Sequence, residues 1–191
     1  MQTYQDNKIF INPIFYVTFA CVLLLLPLKW IVGWIVAVGL HELSHYLALR
    51  FCGVKVFSVH IRLSGVIIET EHIYGWRESV CALSGPIGGL CLLPLMRWFP
   101  YFVICSIFQS LFNLLPIFPL DGGRVLHGVT CHMFGVEKAE RVCTIVGGCI
   151  GVLLVLTAVA AMICLDLGLL PVLAAFLLLL RSGKQNFLAK R

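Results

Sequence analysis

The chain has 191 residues, 60% of them apolar and 12% charged, with a formal net charge of +5 and a mean hydropathy of +0.99. This composition excludes a soluble globular domain with one anchor and describes an integral, multi-pass membrane protein. The positive balance is accounted for by membrane topology and contact with the phospholipid bilayer, so no nucleic-acid partner is needed.

In chain order, the apolar runs predict spans over residues 11–28, 31–49 and 80–96, a fourth opening at Tyr101, a fifth over about 142–165 and a sixth, short one over 167–180. A span must cover roughly 30 Å of hydrocarbon, about 20 residues of helix. The expected fold is therefore all-α and polytopic, with about six transmembrane helices in one domain over residues 1–191. The first span lacks a small-x-small site after it and reads as a retained helix rather than a cleaved signal. Of the 14 Lys and Arg, six crossings leave only Lys29 and Arg97 on one side and the other 12 opposite. The Lys/Arg-rich side, with both termini, is expected to be cytoplasmic. Nine scattered cysteines, with no CxxC pair, read as small apolar fillers with reduced thiols.

The second span contains His41-Glu42-Leu43-Ser44-His45, the HExxH pattern. Histidines four residues apart on a helix are separated by about 40° and one turn, so both imidazoles reach one metal ion. Glu42 beside them is placed to act as a general base on water. In a soluble helix the pattern is often two surface histidines and a solvated acid. At membrane depth an ionisable group is costly and marks a functional site.

After that helix, Phe57, Val59, Ile61 and Leu63 alternate with Ser58, His60 and Arg62, the period of a strand. Ser64-Gly65 turns the chain into Val66-Ile67-Ile68. A small membrane-associated β-hairpin over residues 54–70 is expected, against the alternative of a plain amphipathic connector. An uncovered strand edge carrying Ile67 and Ile68 would take up an extended peptide by β-addition.

A catalytic zinc has three protein ligands and one open position. Outside the HExxH helix, Asp121 stands out, in a stretch from Asn113 to Arg124 broken by Pro116 and Pro119 and followed by Gly122-Gly123. Irregular backbone at membrane depth survives where protein or a water-filled cavity covers it. By itself the stretch reads equally as an ordinary Pro/Gly loop with an Asp-Gly turn. His127 and His132 are weak alternatives, and Glu69, Glu71 and Glu78 read as solvated loop acids.

These pieces together resemble the site-2 protease family of intramembrane zinc metalloproteases. The resemblance rests on HExxH at 41–45, the Asn113-x-x-Pro116-x-x-Pro119-x-Asp121-Gly122 stretch, and the weaker Ser84-Gly85-Pro86. It covers roughly residues 31–132, the expected catalytic core. It implies one zinc ion per chain held by His41, His45 and Asp121, Glu42 as catalytic base, and Asn113 positioning substrate near the metal. Pro119, Gly122, Gly85 and Pro86 come with it as supporting residues of the substrate-binding region.

The family often carries a PDZ domain or a CBS pair, for which this chain has no room. The plan is most like the compact bacterial branch that includes the sporulation sigma-factor-processing protease, which implies a bacterial cell membrane. The expected activity is an intramembrane zinc metalloendopeptidase. It would cut a membrane-spanning or membrane-associated protein near the cytoplasmic face, with a membrane regulator or a homo-oligomer as open partners. An inert membrane scaffold retaining the fold is the alternative, and a metal transporter a more distant one.

Overall fold

The computed structural model describes residues 27–62, 65–71, 73–165 and 169–188. In chain order these form helix α1 (Leu28–Phe51), strands β1 (Val56–Arg62) and β2 (Gly65–Thr70), helix α2 (Trp76–Leu90), a 3-10 turn (Leu93–Arg97), and helices α3 (Pro100–Asn113), α4 (Asp121–Phe134), α5 (Val136–Leu165) and α6 (Leu170–Leu188).

Helix α1 has 24 residues, about 36 Å at 1.5 Å per residue, enough to cross a bilayer. It ends where Gly53 takes φ +70, a conformation that suits glycine at a helix end. Its buried face is Gly33, Ala37, His41, His45 and Leu49, one residue every four. The small residues at the start of that face let α3 approach closely. A Cβ on Gly33 would meet the Phe102 backbone nitrogen at 3.1 Å. The opposite face shows Val32, Ile35, Val36, Leu43 and Leu47 outward, as a lipid-facing surface does.

Helix α1 packs on α2 and α3, α2 also on α3 and α4, and α4 on α5, which pairs with α6. Trp30 lies edge-on to Tyr101 with ring centroids 5.1 Å apart, and His41 lies near Asn113. Helices α1 and α3 therefore run in the same direction. Lys29 sits 5.8 Å from the Tyr101 ring, which gathers a cation and two amphipathic aromatics at one end of the pair.

Strands β1 and β2 pair antiparallel, with Val59 opposite Ile68, His60 opposite Ile67, and an irregularity between Val56 and Ser58. Val56 and Ile68 pack on a cluster of Leu49, Val54 and Cys81. The ribbon is thereby seated where α1 ends and α2 begins. Among the described residues the sheet has two strands, so each keeps an unpaired edge.

Three described helical stretches are long and apolar enough to cross a membrane: Leu28–Phe51, Trp76–Arg97 and Val136–Cys164. The six-span count is larger. Its first span lies outside the described residues. Its fourth, α3, has 14 residues, about 21 Å, because Pro116 and Pro119 prevent the helix from continuing. The apolar part of α6, Pro171–Leu180, is shorter still. The fifth span extends further than expected, since α5 starts at Val136 and has 30 residues.

Candidate metal centre

His41 and His45 project from adjacent turns of α1, and Asp121 opens α4. Asp121 Oδ2 lies 3.0 Å from His41 Nε2 and 3.2 Å from His45 Nε2, and the two Nε2 atoms are 3.2 Å apart. All three residues are buried, at 3%, 8% and 9% exposure. Three donors around one tetrahedral cation at about 2.0 Å would stand about 3.3 Å from each other. The observed triangle has nearly that size, and its two imidazoles and one carboxylate form a donor set suited to zinc.

The surroundings fit such an ion as well. A Cβ on Gly85 would lie 2.3 Å from His45 Nε2 and 2.8 Å from His41 Nε2, so only glycine at this point of α2 leaves the donors their space. The peptide carbonyl of Cys81 accepts the hydrogen bond of His45 Nδ1–H at 2.8 Å. Ser84 Oγ donates to the same carbonyl at 2.7 Å. With its proton on Nδ1, His45 offers the lone pair of Nε2 to a cation held between it, His41 and Asp121, the second-sphere arrangement usual for a metal-binding histidine. Among the described residues no other group of three or more potential ligands converges.

Asp121 arrives there because the chain turns tightly between α3 and α4. Cβ atoms on Gly122 and Gly123 would collide with the Leu114 carbonyl at 2.1 Å and with Ile117 C and Phe118 N at 2.7 Å. The two glycines thus let the start of α4 press on the preceding loop. Ile117 is fully buried, and Pro119 follows a cis peptide. A carboxylate in the first turn of a helix also meets the positive end of its dipole.

Glu42 is half-buried on α1, and the charges that act on it are those of His45, His41, Asp121 and Arg124. The side-chain amide of Asn113, at the end of α3, stands 3.4 Å from His41 Nε2. Pro86 is fully buried in α2 beside Gly85. Ile68 belongs to the cluster under the ribbon and Ile67 to its ladder, so neither contributes to the donor triangle.

One sequence expectation is overturned. Glu78 is not a solvated loop acid; it is 8% exposed in the first turn of α2. His127 of α4 sits 2.9 Å from its Oε2. That hydrogen bond holds the His127 imidazolium above the usual histidine range, against partial burial. The sequence reading gave Ser84 no part in orienting His45 and passed over Ser106, Gln109 and Ser110, which share the polar face of α3 with Asn113. The latter had a readable signal, since Ser106, Gln109, Ser110 and Asn113 interrupt an apolar run at helical spacing.

A family model described as Peptidase family M50 matches residues 72–157, a stretch that includes Gly85, Asn113 and Asp121 but not the HExxH residues. Similar proteins include a zinc metalloprotease of Methanocaldococcus jannaschii, 27% identical over 141 residues, 66% of this chain and 42% of that protein. Stage IV sporulation protein FB of Bacillus subtilis is 27% identical over 150 residues, 70% of this chain and 51% of that protein. The matched stretch thus spans about half the length of these relatives or less. Among solved structures, a site-2 protease from Methanocaldococcus jannaschii superposes with a TM-score of 0.66 at 18% identity, covering 90% of this chain and 85% of that one. At that identity the likeness speaks for the fold.

Proposed function

We propose that this chain, whose residues 72–157 match the Peptidase family M50 model and whose fold is like that of a site-2 protease, is a zinc-dependent intramembrane endopeptidase. Its substrate would be a membrane-spanning or membrane-associated protein. The single observation that carries the reading is the convergence of His41, His45 and Asp121 around the space guarded by Gly85, with Glu42 alongside. An inert scaffold would have no use for an acid beside the first ligand.

In this reading His41, His45 and Asp121 hold one zinc ion. When bound, zinc acidifies the attacking water and polarises the scissile carbonyl. Glu42 accepts the proton of that water and returns it to the leaving amine. The Asn113 amide orients the scissile peptide by donating to its carbonyl oxygen. The Cys81 carbonyl, with Ser84, keeps His45 in the tautomer that presents Nε2. Gly122 and Pro119 fix the loop that aims Asp121, while Gly85 and Pro86 keep the metal side of α2 free of side chains.

A helical peptide hides its carbonyls in internal hydrogen bonds, so substrate must unwind before it is cut. The two-stranded ribbon offers a place for that. Its unpaired edge, near Ile67 and Ile68, would receive an extended strand, and the ribbon is seated beside the end of α1 that bears His45. The Lys/Arg distribution supports a cytoplasmic opening. His45 lies five residues, about 7 Å of helix, from Arg50 on the basic side. A crossing by residues 11–28, with α3 and α6 inside the bilayer, would complete a six-span plan.

The test is proteolysis of candidate single-span proteins by the purified full chain, with Glu42→Gln as the paired variant. The reading expects cleavage that a zinc chelator abolishes and zinc restores. It also expects the Gln variant to keep zinc while losing cleavage. Equal cleavage by both proteins, with contaminating protease excluded, would overturn the assignment.

A further inference from the structure

Helix α3 carries polar residues at 106, 109, 110 and 113, the spacing of one helical face. It is the buried face: Ser106, Gln109 and Ser110 are 2%, 7% and 0% exposed, whereas Phe108, Leu111 and Phe112 point outward. Polar groups inside a membrane protein have to be satisfied by protein or by enclosed water. Asn113 reaches towards His41, and Ser106 Oγ donates to the Gly89 carbonyl at 3.1 Å. Gln109 Oε1 has no partner.

On the facing helix, His41 Nδ1 is also buried and without a partner. A third orphaned atom, Ser110 Oγ, faces Gly89 of α2, and the other two are complementary. With a metal ion held at Nε2, the neutral imidazole carries its proton on Nδ1 and must donate, while an amide oxygen only accepts. They also lie within about one helical turn of each other along the pair. Helices α1 and α3 run in parallel, and Asn113 is already beside His41. Gln109 lies one turn earlier on the same face of α3, opposite the turn of α1 before His41. That turn presents Ala37, a small side chain that is 1% exposed.

We propose that Gln109 is a positioning residue for His41. Its Oε1 accepts the hydrogen bond of His41 Nδ1–H, directly or across one buried water, and so holds Nε2 towards the metal. His45 receives the same support from the Cys81 carbonyl, and Gln109 supplies it from the opposite helix. This inference rests on the metal-centre reading.

The experiment measures zinc affinity of the purified full chain by chelator competition, together with the visible spectrum of the cobalt-loaded protein. Gln109→Leu is expected to bind zinc about 10–100-fold more weakly, the usual effect of losing an outer-sphere partner, and to shift the cobalt bands. Gln109→Glu, which retains an acceptor, should recover most of the affinity. Melting of the zinc-free proteins should be alike, which separates positioning from folding. If Gln109→Leu does not fold, Gln109→Met, closer in shape, takes its place. Wild-type affinity and spectrum in the apolar variant would overturn the inference and leave the centre standing. So would a Glu variant no tighter than the Leu variant. A wild type that binds no zinc would overturn both.

Discussion

Helices α1 and α5 are both long enough to span a bilayer, yet they carry opposite chemistry. Helix α1 brings two histidines and a glutamate to membrane depth and covers them with α2, α3 and α4. Within the membrane part of α5, Thr144 and Thr157 turn their hydroxyls back onto the Glu140 and Leu154 carbonyls of their own helix, while Ile145, Val152, Leu153, Leu156 and Ile163 face outward. One pair of glycines shows the same contrast. Gly85 on α2 has donor nitrogens where a Cβ would go, whereas Gly148 on α5 has nothing within 4 Å. Polar groups are affordable in a membrane only where neighbouring helices replace lipid, and here that happens around α1 and not around α5.

Removing the donors should erase the difference between the two helices. Replacing both His41 and His45 with Ala should abolish stoichiometric zinc binding, measured by metal analysis of the purified protein; undiminished zinc would mean that the centre lies elsewhere. Next in size, Glu42→Gln should cost at least roughly 10²–10⁴-fold in cleavage rate at unchanged zinc content, as expected for a lost general base.

Gly85 and Gly148 should respond differently to an added methyl group. Gly85→Ala places a methyl group against both Nε2 atoms and should reduce zinc retention and cleavage together. Gly148→Ala should leave both at wild-type levels. Parallel zinc titrations of the two variants decide the matter, and equal behaviour would show that the tight contact at Gly85 has no consequence.

A smaller effect is expected at the seam of α2 and α4. The Glu78 hydrogen bond raises the pKa of His127 above 6.5, with Glu140 adding in the same sense. A raised folded-state pKa contributes stability that is complete below pH 6.5 and disappears as pH climbs through the folded value. Melting in detergent should therefore fall as pH rises from 6 towards 8. Glu78→Gln should flatten that slope. A wild-type slope in the variant would remove the pair from the account.

Much of the centre is legible in the residues because HExxH is a local device. One helix geometry puts positions 41 and 45 on one face whatever the rest of the chain does. Asp121 could be marked as unusual, but its meeting with His41 across 80 residues of sequence depends on how α1, α2 and α4 pack. Glu78 was misread for the same reason. Its neighbours Arg77 and Ser79 look like a loop end, and its burial comes from α4. Hydropathy registers apolar runs without registering where a broken helix stops, as α3 does at Asn113, so the described residues show three helices of spanning length.

The sequence by itself determined that this is a membrane chain, which helix bears the paired histidines, and which glycines and prolines interrupt regular structure. These follow from transfer free energies and backbone sterics, both short-range properties of residues and their neighbours. Only the tertiary structure decided that Gly85 would be the floor beneath both imidazoles, that the Cys81 carbonyl would orient His45, and that Gln109 would lie buried on the inner face of α3. Those depend on distances between helices, which are set by the packing of side chains remote in sequence.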